Sequence, residues 1–566
     1  SIFGKPGSVD DKSLKATLAG ESGDLDNVEG FVGRYLNVLK PVLRHPAKIV
    51  MAAFAVLIAV QVIYGTFGKG IEFFPSVEPE IAKLQVRARG NLSIHEKDAI
   101  MREVESRILD MTEFETIYTR TGSEENSQEA EDIIGTITLE FVEWDKRRKA
   151  EIILKEIENR TKDIPGIYID AREEEGGPPT GKPINLQISS RYPELLDRTV
   201  DLIRAKLEKT DGMISIEDSR PLPGITWEVS VDRSQAAKFG VDIKTIGQAI
   251  RLVTGGIKVD EYRPNDTDDE VEIRVRYPVE FRTIKQLDHI QVSTNQGLVP
   301  LSNFVERSAQ PRIGKVNRVD GKRSLSVKAD LEPGLLTDNK VREVAAWLET
   351  QKIDPRVEIK FKGEDEEQRK AKAFLSKAFG VALFIMAIIL VTQFNSFYSA
   401  LLILSAVILS PIGVFIGLLV TGQPFGIVMS GIGVIALAGI VVNNNIVLID
   451  TFDHLRKTIR DPMEAILRTG AQRMRPVLLT TTTTILGLMP MVFGVNIDFV
   501  TREVAMGAPS SQWWTQLSTA IVFGLGFATI LTLFVTPASL MIRANVHNWR
   551  VRRQQSKLAT ELSPAE

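Results

Sequence analysis

The chain has 566 residues, 44% of them hydrophobic and 25% charged, with a formal net charge of −3 and no cysteine. That balance argues against a nucleic-acid-binding face, and the missing cysteines exclude disulfides, thiolate catalysis and cysteine-held zinc or iron–sulfur sites. Mean hydropathy is +0.00, yet apolar residues gather in a few uninterrupted runs, so the chain is neither purely soluble nor a bare membrane bundle.

Residues 1–45 read as a cytoplasmic connector. The chain opens on Ser, with no basic-then-apolar leader, and reads as a fragment. The first apolar run, Ile49 to Phe67, has nineteen residues without a charge; at about 1.5 Å per residue it spans about 28 Å, enough for a hydrocarbon core. This predicts a first membrane span over 46–68.

About 300 residues follow before the next run, and they alternate between strand and helix patterns. Ile81 to Gly90 alternates apolar and polar side chains, the period of a half-buried strand. Ser93 and Glu96 form a capping box opening a helix with Ile100, Val104 and Ile108 on one face. A strand near Glu115 to Thr121 follows, then strand Gly135 to Trp144, helix Lys146 to Lys162 and strand Ile167 to Ala171. Two β-α-β units in series predict a ferredoxin-like α+β subdomain over 69–183. The pattern recurs over 184–232 and 313–362, interrupted by an inserted unit over 233–312 with a hairpin around Asn265 to Asp269.

Five further runs follow: Ala378 to Val391, Ala400 to Val420, Phe425 to Ile449, Pro476 to Phe493 and Thr515 to Ile542. They predict a five-span bundle over 363–542 and a cytoplasmic tail over 543–566, giving six spans in all. Lys and Arg cluster before the first span, between the fourth and fifth, and after the sixth, which puts both ends in the cytoplasm and the large insertion outside. In a bacterium that compartment is the periplasm.

Most motifs lead to unremarkable readings. Gly176 to Pro183 (GGPPTGKP) approaches a phosphate-binding loop, but Pro183 lacks the hydroxyl and the amide donor, and the segment leads into a strand; it reads as a rigid surface turn. The five histidines are scattered without a His-Glu-x-x-His pattern, so no catalytic metal is expected. The acidic stretch Glu124 to Asp132 reads as a solvated loop. No nucleophile–base arrangement is legible, and nothing in these motifs argues for an enzyme.

The fourth span differs, carrying Asn443, Asn444 and Asn445, followed by Asp450. Polar groups at membrane depth need partners. The fifth span opens with Arg473 and Arg475 and carries Thr480 to Thr484, with Thr480 two turns from Arg473 on the same face. An Asn face and an Arg–Thr face can form a polar path; interhelical hydrogen bonding without a transport role is the equal alternative.

Four segments resemble the resistance-nodulation-division (RND) efflux transporters: Phe73 to Glu80 (FFPSVEPE), Val231 to Gly240 (VDRSQAAKFG), Gly439 to Asp450 (GIVVNNNIVLID) and Arg473 to Thr480 (RMRPVLLT). The resemblance runs from Phe3 to the last span and is nearest the hydrophobe/amphiphile, multidrug branch. It implies the second half of a twelve-span subunit that forms homotrimers in the bacterial inner membrane, with 69–183 and 184–232 with 313–362 as periplasmic porter subdomains and 233–312 as a docking-type insertion. Such pumps run on the proton-motive force without a cofactor and join a periplasmic adaptor and an outer-membrane channel. It makes Asn443, Asn444, Arg473 and Thr480 proton-relay candidates, with Asn443 standing where well-studied members have lysine. It places Tyr118, Ser123, Glu125, Thr138, Tyr168 and Asp170 at the substrate pocket, two tyrosines standing at phenylalanine positions. The acidic residues there predict polar or cationic substrates. Alternatives are heavy-metal efflux by a related branch, which calls for Met, His or Cys clusters, and a non-transporting assembly or lipid-organising role.

Overall fold

The computed structural model describes residues 30–561 except residues 89–91, 123–131, 174–176, 178–180, 221–223, 266–269, 312–315, 498, 500, 501 and 503. Ser123, Glu125, most of the acidic stretch and the tip of the 265–269 hairpin therefore lie outside the described residues.

Helix α1 (Phe31–Arg44) is amphipathic and buries Tyr35, Leu36, Leu39 and Leu43, so the last part of the expected connector is a packed element. The Tyr35 hydroxyl donates to the Leu533 carbonyl at 2.8 Å. Pro46 begins α2 (Pro46–Phe67), where its missing N–H costs nothing. A two-residue strand, β1 (Ile71–Glu72), leads out of it.

The first sheet contains β2 (Ile81–Ala88), β3 (Phe114–Thr121), β4 (Ile133–Phe141) and β5 (Ile167–Glu173), in the order β3-β4-β2-β5. Helices α3 (Ile94–Ser106) and α4 (Ala150–Thr161) complete a β-α-β-β-α-β chain. Along β2, Ala82, Leu84 and Val86 are fully buried, as are Met101, Val104, Ile153 and Ile157 on the helices. Lys83, Gln85 and Arg87 alternate with them onto the opposite, polar face. Gly135 admits no side chain, because a Cβ would stand 2.6 Å from the Met101 sulfur.

The second sheet is built from β6 (Ile184–Ser190), β7 (Met213–Asp218), β8 (Lys322–Leu331) and β9 (Val357–Phe361). β8 pairs with β6 on one side and β7 on the other, and β6 also pairs with β9. Helices α5 (Leu196–Glu208) and α6 (Thr337–Thr350) complete it, with a core of Ile184, Leu186, Ile188, Val200, Ile203, Leu207, Val327 and Val344.

Residues 220–316, with 89–93, form a separate compact unit. Strand Ile225–Val231 was expected in the second subdomain; its seven registered pairs with Val305–Pro311 place it in this unit instead. The unit has its own apolar core around Ile246, Val253, Ile290, Val292 and Phe304.

The remaining helices are α7 (Glu364–Phe394), α8 (Phe397–Leu409), α9 (Pro411–Thr421), α10 (Ile427–Leu455), α11 (Pro462–Val492) and α12 (Pro509–Glu561), with the short strand β10 (Phe425–Gly426) before α10. Five of the described helical segments are long and apolar enough to cross a membrane: α2, α7, α8 with α9, α10, and Pro509–Trp549 of α12. α11 covers the remaining expected run, but its five consecutive threonines make it less apolar. The third expected run is two helices, because Pro411 cannot donate to the Val407 carbonyl. Ser410 repairs that rung: its amide and its hydroxyl both donate to Val407 O, at 3.2 and 2.8 Å.

Candidate functional site

Two polar regions stand out, one inside the helix bundle and one between the sheets. In the bundle, the three asparagines of α10 point three ways, as successive helical positions must. Asn443 is exposed, Asn444 is buried and Asn445 is completely enclosed. Asn445 Nδ2 donates to Val441 O at 3.0 Å and Thr532 Oγ1 at 3.1 Å, and its Oδ1 accepts from Thr536 Oγ1 at 2.7 Å. One amide thus ties α10 to α12 through two threonines a helical turn apart. Helix phase thus gives these bonds to Asn445 and not to the proton-relay candidates Asn443 and Asn444.

Arg473 Nε on α11 donates to Thr451 Oγ1 on α10 at 2.6 Å. Thr451 lies eight residues from Asn443, about 12 Å along the helix. Thr480 is exposed, and its hydroxyl donates to Val477 O within its own helix. Thr481, not Thr480, crosses to α12, sharing a 2.8 Å hydrogen bond with Thr529. Among the described residues no hydrogen bond joins Asn443, Arg473 and Thr480 to one another. Asn443 lies instead on an exposed stripe of α10 with Ile432, Ala436, Gly439 and Asp450. Beside Gly439 there is open space where a side chain would stand.

On the first sheet, Tyr118 and Thr138 are directly opposed across β3 and β4, Thr138 opposes Lys83, and Lys83 opposes Arg172. One strand step along, Gln85 opposes Asp170, and then Arg87 opposes Tyr168. Four of the six pocket candidates thus share one polar face; the other two, Ser123 and Glu125, lie outside the described residues. Tyr118 and Tyr168 are more than half exposed.

Asp170 is not an open acidic wall, which corrects the expectation of a cation-attracting pocket built on it. It is 2% exposed and ringed by three cations: Arg172 at 2.9 Å, Lys182 at 3.3 Å and Arg87 at 3.4 Å. The ring continues to the second sheet. Arg87 pairs with Glu217 of β7 and reaches Asp132 at 3.4 Å. Arg172 reaches Asp330 of β8 at 3.3 Å, and Lys182 reaches Asp330 at 3.2 Å and Glu217 at 3.7 Å. Tyr168 and Ser215 share a 2.9 Å hydroxyl contact beside them. Lys182 belongs to the segment expected as a surface turn; its ammonium is turned inward and also donates to Ser215 O.

Three cations therefore face four carboxylates, Asp132, Asp170, Glu217 and Asp330. Burial pushes the Asp330 carboxyl up to about 7, with Asp170 and Glu217 adding to the rise and Arg172 and Arg87 opposing it. With a proton on Asp330 the junction is balanced, three charges against three. Chemically it is a clamp between two sheets. Among the described residues there is no group of three His, Cys, Asp or Glu that could hold a metal ion.

The sequence profile of the AcrB/AcrD/AcrF family matches residues 26–543. The chain belongs to this family of RND efflux transporters. Among curated relatives, the nickel-cobalt-cadmium resistance protein NccA of Alcaligenes xylosoxydans xylosoxydans is 26% identical over 89% of this chain and 47% of its own. The nickel and cobalt resistance protein CnrA of Cupriavidus metallidurans (strain ATCC 43123 / DSM 2839 / NBRC 102507 / CH34) is 26% identical over 88% of this RND chain and 47% of its own. A crystal structure of a heavy metal efflux pump superposes with a TM-score of 0.73 at 21% identity, covering 90% of this chain and 51% of that one. The chain thus spans about half the length of the relatives it matches. These relatives carry metal-resistance names, whereas the motifs suggested the multidrug branch.

Proposed function

We propose that this RND chain is half of the membrane-embedded pump of a proton-driven exporter of divalent transition-metal ions. The observation that carries the reading is similarity along nearly nine-tenths of the chain to nickel, cobalt and cadmium resistance proteins. Half-length coverage, together with a polar stripe on α10 left open at Asn443, Gly439 and Asp450, supports a second set of spans packed against that stripe. Asn and Asp are costly against lipid and are met in membranes where another helix or water faces them. In this reading six spans lie here, α11 included, the sheets face the periplasm, and three subunits join an adaptor and an outer-membrane channel. Asn443, Asn444, Arg473 and Thr480 serve proton coupling, and the face bearing Tyr118, Thr138 and Tyr168 borders the route of the exported ion.

Vesicles containing the full-length transporter test the proposal. Under an imposed proton gradient, labelled nickel, cobalt, zinc or cadmium should be moved, and a protonophore should stop the movement. Gradient-driven movement of apolar dyes with no metal movement would return the chain to the multidrug branch.

A further inference from the structure

Glu72 is the second residue of β1, which pairs in parallel with β10 and registers Glu72 against Gly426. Gly426 is also the N-cap of α10, the helix that carries the asparagines. Gln516 of α12 closes this corner. A Cβ on Gly426 would stand 2.0 Å from Gln516 Oε1, so only glycine leaves the amide its place. Gln516 Nε2 donates to Glu72 Oε1, whereas Gln516 Oε1 has no hydrogen-bond partner although the residue is only 5% exposed. Ser430, one turn into α10 from Gly426, and Thr519, one turn along α12 from Gln516, are also buried with unpartnered hydroxyls.

The surroundings give Glu72 no counter-charge. Among the described residues no cation lies within ion-pair distance of it. Tyr64 of α2 donates its hydroxyl to Gly70 O at 3.1 Å. Asn339 of α6 and Leu336 just before it face Gly70, while the nearby α6 charges are paired among themselves, Asp338 with Arg342 and Lys340 with Glu343. Lys69 lies against Gly422, and Glu78 is held by Arg147 at 2.6 Å.

We propose that Glu72 and Gln516 form a proton-binding site at the end of the bundle nearest the sheets, with two hydrogen-bond arrangements. As a carboxylate, Glu72 accepts from the Gln516 amide N–H. As a carboxylic acid it becomes a donor, and the unpartnered Gln516 carbonyl oxygen is the acceptor it meets once the amide turns over. The proton comes from the adjoining aqueous phase and returns to it, and no other bond changes. Burial pushes the Glu72 carboxyl up to about 7, against the hydrogen bond from Gln516, so both arrangements are populated near neutral pH. Because Glu72 is registered on the residue that starts α10, each arrangement sets a different anchor for that helix. The inference rests on no choice of exported substrate.

Infrared difference spectroscopy on the chain in lipid nanodiscs tests it, following the carbonyl stretch of protonated carboxyls from about pH 4 to about pH 9. One component should titrate near pH 7 and vanish in Glu72→Gln, whose amide can still pair with Gln516. Gln516→Leu should move that midpoint upward by removing the hydrogen bond that favours the carboxylate. Loss of the component in Glu72→Gln together with the upward shift in Gln516→Leu supports the site. A Glu72 component with an ordinary midpoint near 4.3, or a midpoint unmoved by Gln516→Leu, overturns it.

Discussion

Arg87 of β2 and Glu217 of β7 form a hydrogen-bonded ion pair across two sheets that share no strand, with both side chains largely withdrawn from water. Taking a guanidinium out of water is worthwhile only where several acceptors surround it, and Asp132 and Asp170 supply the others. Arg87→Met leaves three carboxylates short of a counter-charge and is expected to destabilise the sheet region by about 3–5 kcal/mol. The double variant Arg87→Met/Glu217→Met should recover part of that loss. Thermal unfolding of the chain in micelles measures both, and equal losses in single and double variants would show that the pair contributes nothing specific.

Asp330 gives the same junction a pH dependence. Its folded carboxyl is raised to about 7, against about 3.9 when unfolded. The folded state therefore holds the proton more tightly, and this contribution is complete below about pH 4 and lost as pH rises through about 7. Asp330→Asn, permanently neutral, should melt above the parent at about pH 8 by about 2–4 kcal/mol and match it near pH 4. A difference that is constant across that window would mean the carboxyl does not titrate there.

Asn445 and Asn443 should separate cleanly in the bundle. Asn445→Ala removes the hydrogen bonds to Thr532 and Thr536 and leaves two buried hydroxyls poorer in partners. The expected cost is about 1–2 kcal/mol, read as a lower melting temperature in nanodiscs. Asn443→Ala, on the exposed stripe, should change the melting of this chain by less than about 0.5 kcal/mol.

Two glycines make a paired test of which faces are already occupied. A Cβ on Gly413 would meet the Phe523 carbonyl oxygen at 2.4 Å, so Gly413→Ala must push α9 from α12 and should cost about 1–3 kcal/mol. Gly439 faces open space, and Gly439→Leu should leave this chain's stability nearly unchanged. In the full-length transporter the same change should lower transport, because the proposed second set of spans would meet the leucine. Unimpaired transport by Gly439→Leu would mean that nothing packs on that stripe.

The elements that sequence revealed were those written in local periodicity. The alternation in Ile81 to Gly90 gave β2, and the charge-free run before Gly68 gave α2. The break at Pro411 was legible in principle, yet an apolar run conceals a proline when the run alone is read. The clamp was not legible: Arg87, Asp170, Lys182, Glu217 and Asp330 are far apart in the chain, and each is an ordinary charged residue in its own strand or turn. Lys182 belongs to a phosphate-loop-like pattern that Pro183 spoils, whereas its environment comes from β5 before it and from β7 and β8 after it. Asn445 was passed over for a related reason. Adjacent asparagines look alike in sequence, and only the phase of the helix against α12 distinguishes the buried one.

The helix break at Ser410 separates two parts of the bundle core. Ala400, Ile403 and Val407 of α8 pack with Tyr35, Val442 and Met474 below it, while Val414 and Leu418 of α9 pack with Leu437, Ala520 and Leu525 above. Since the serine closes the carbonyl that the proline leaves open, that rung needs no partner from lipid or a neighbouring helix. The span therefore changes core partners part-way along its length, with α9 resting on Phe523 through Gly413 and Gly417, and leaves no open carbonyl at the junction.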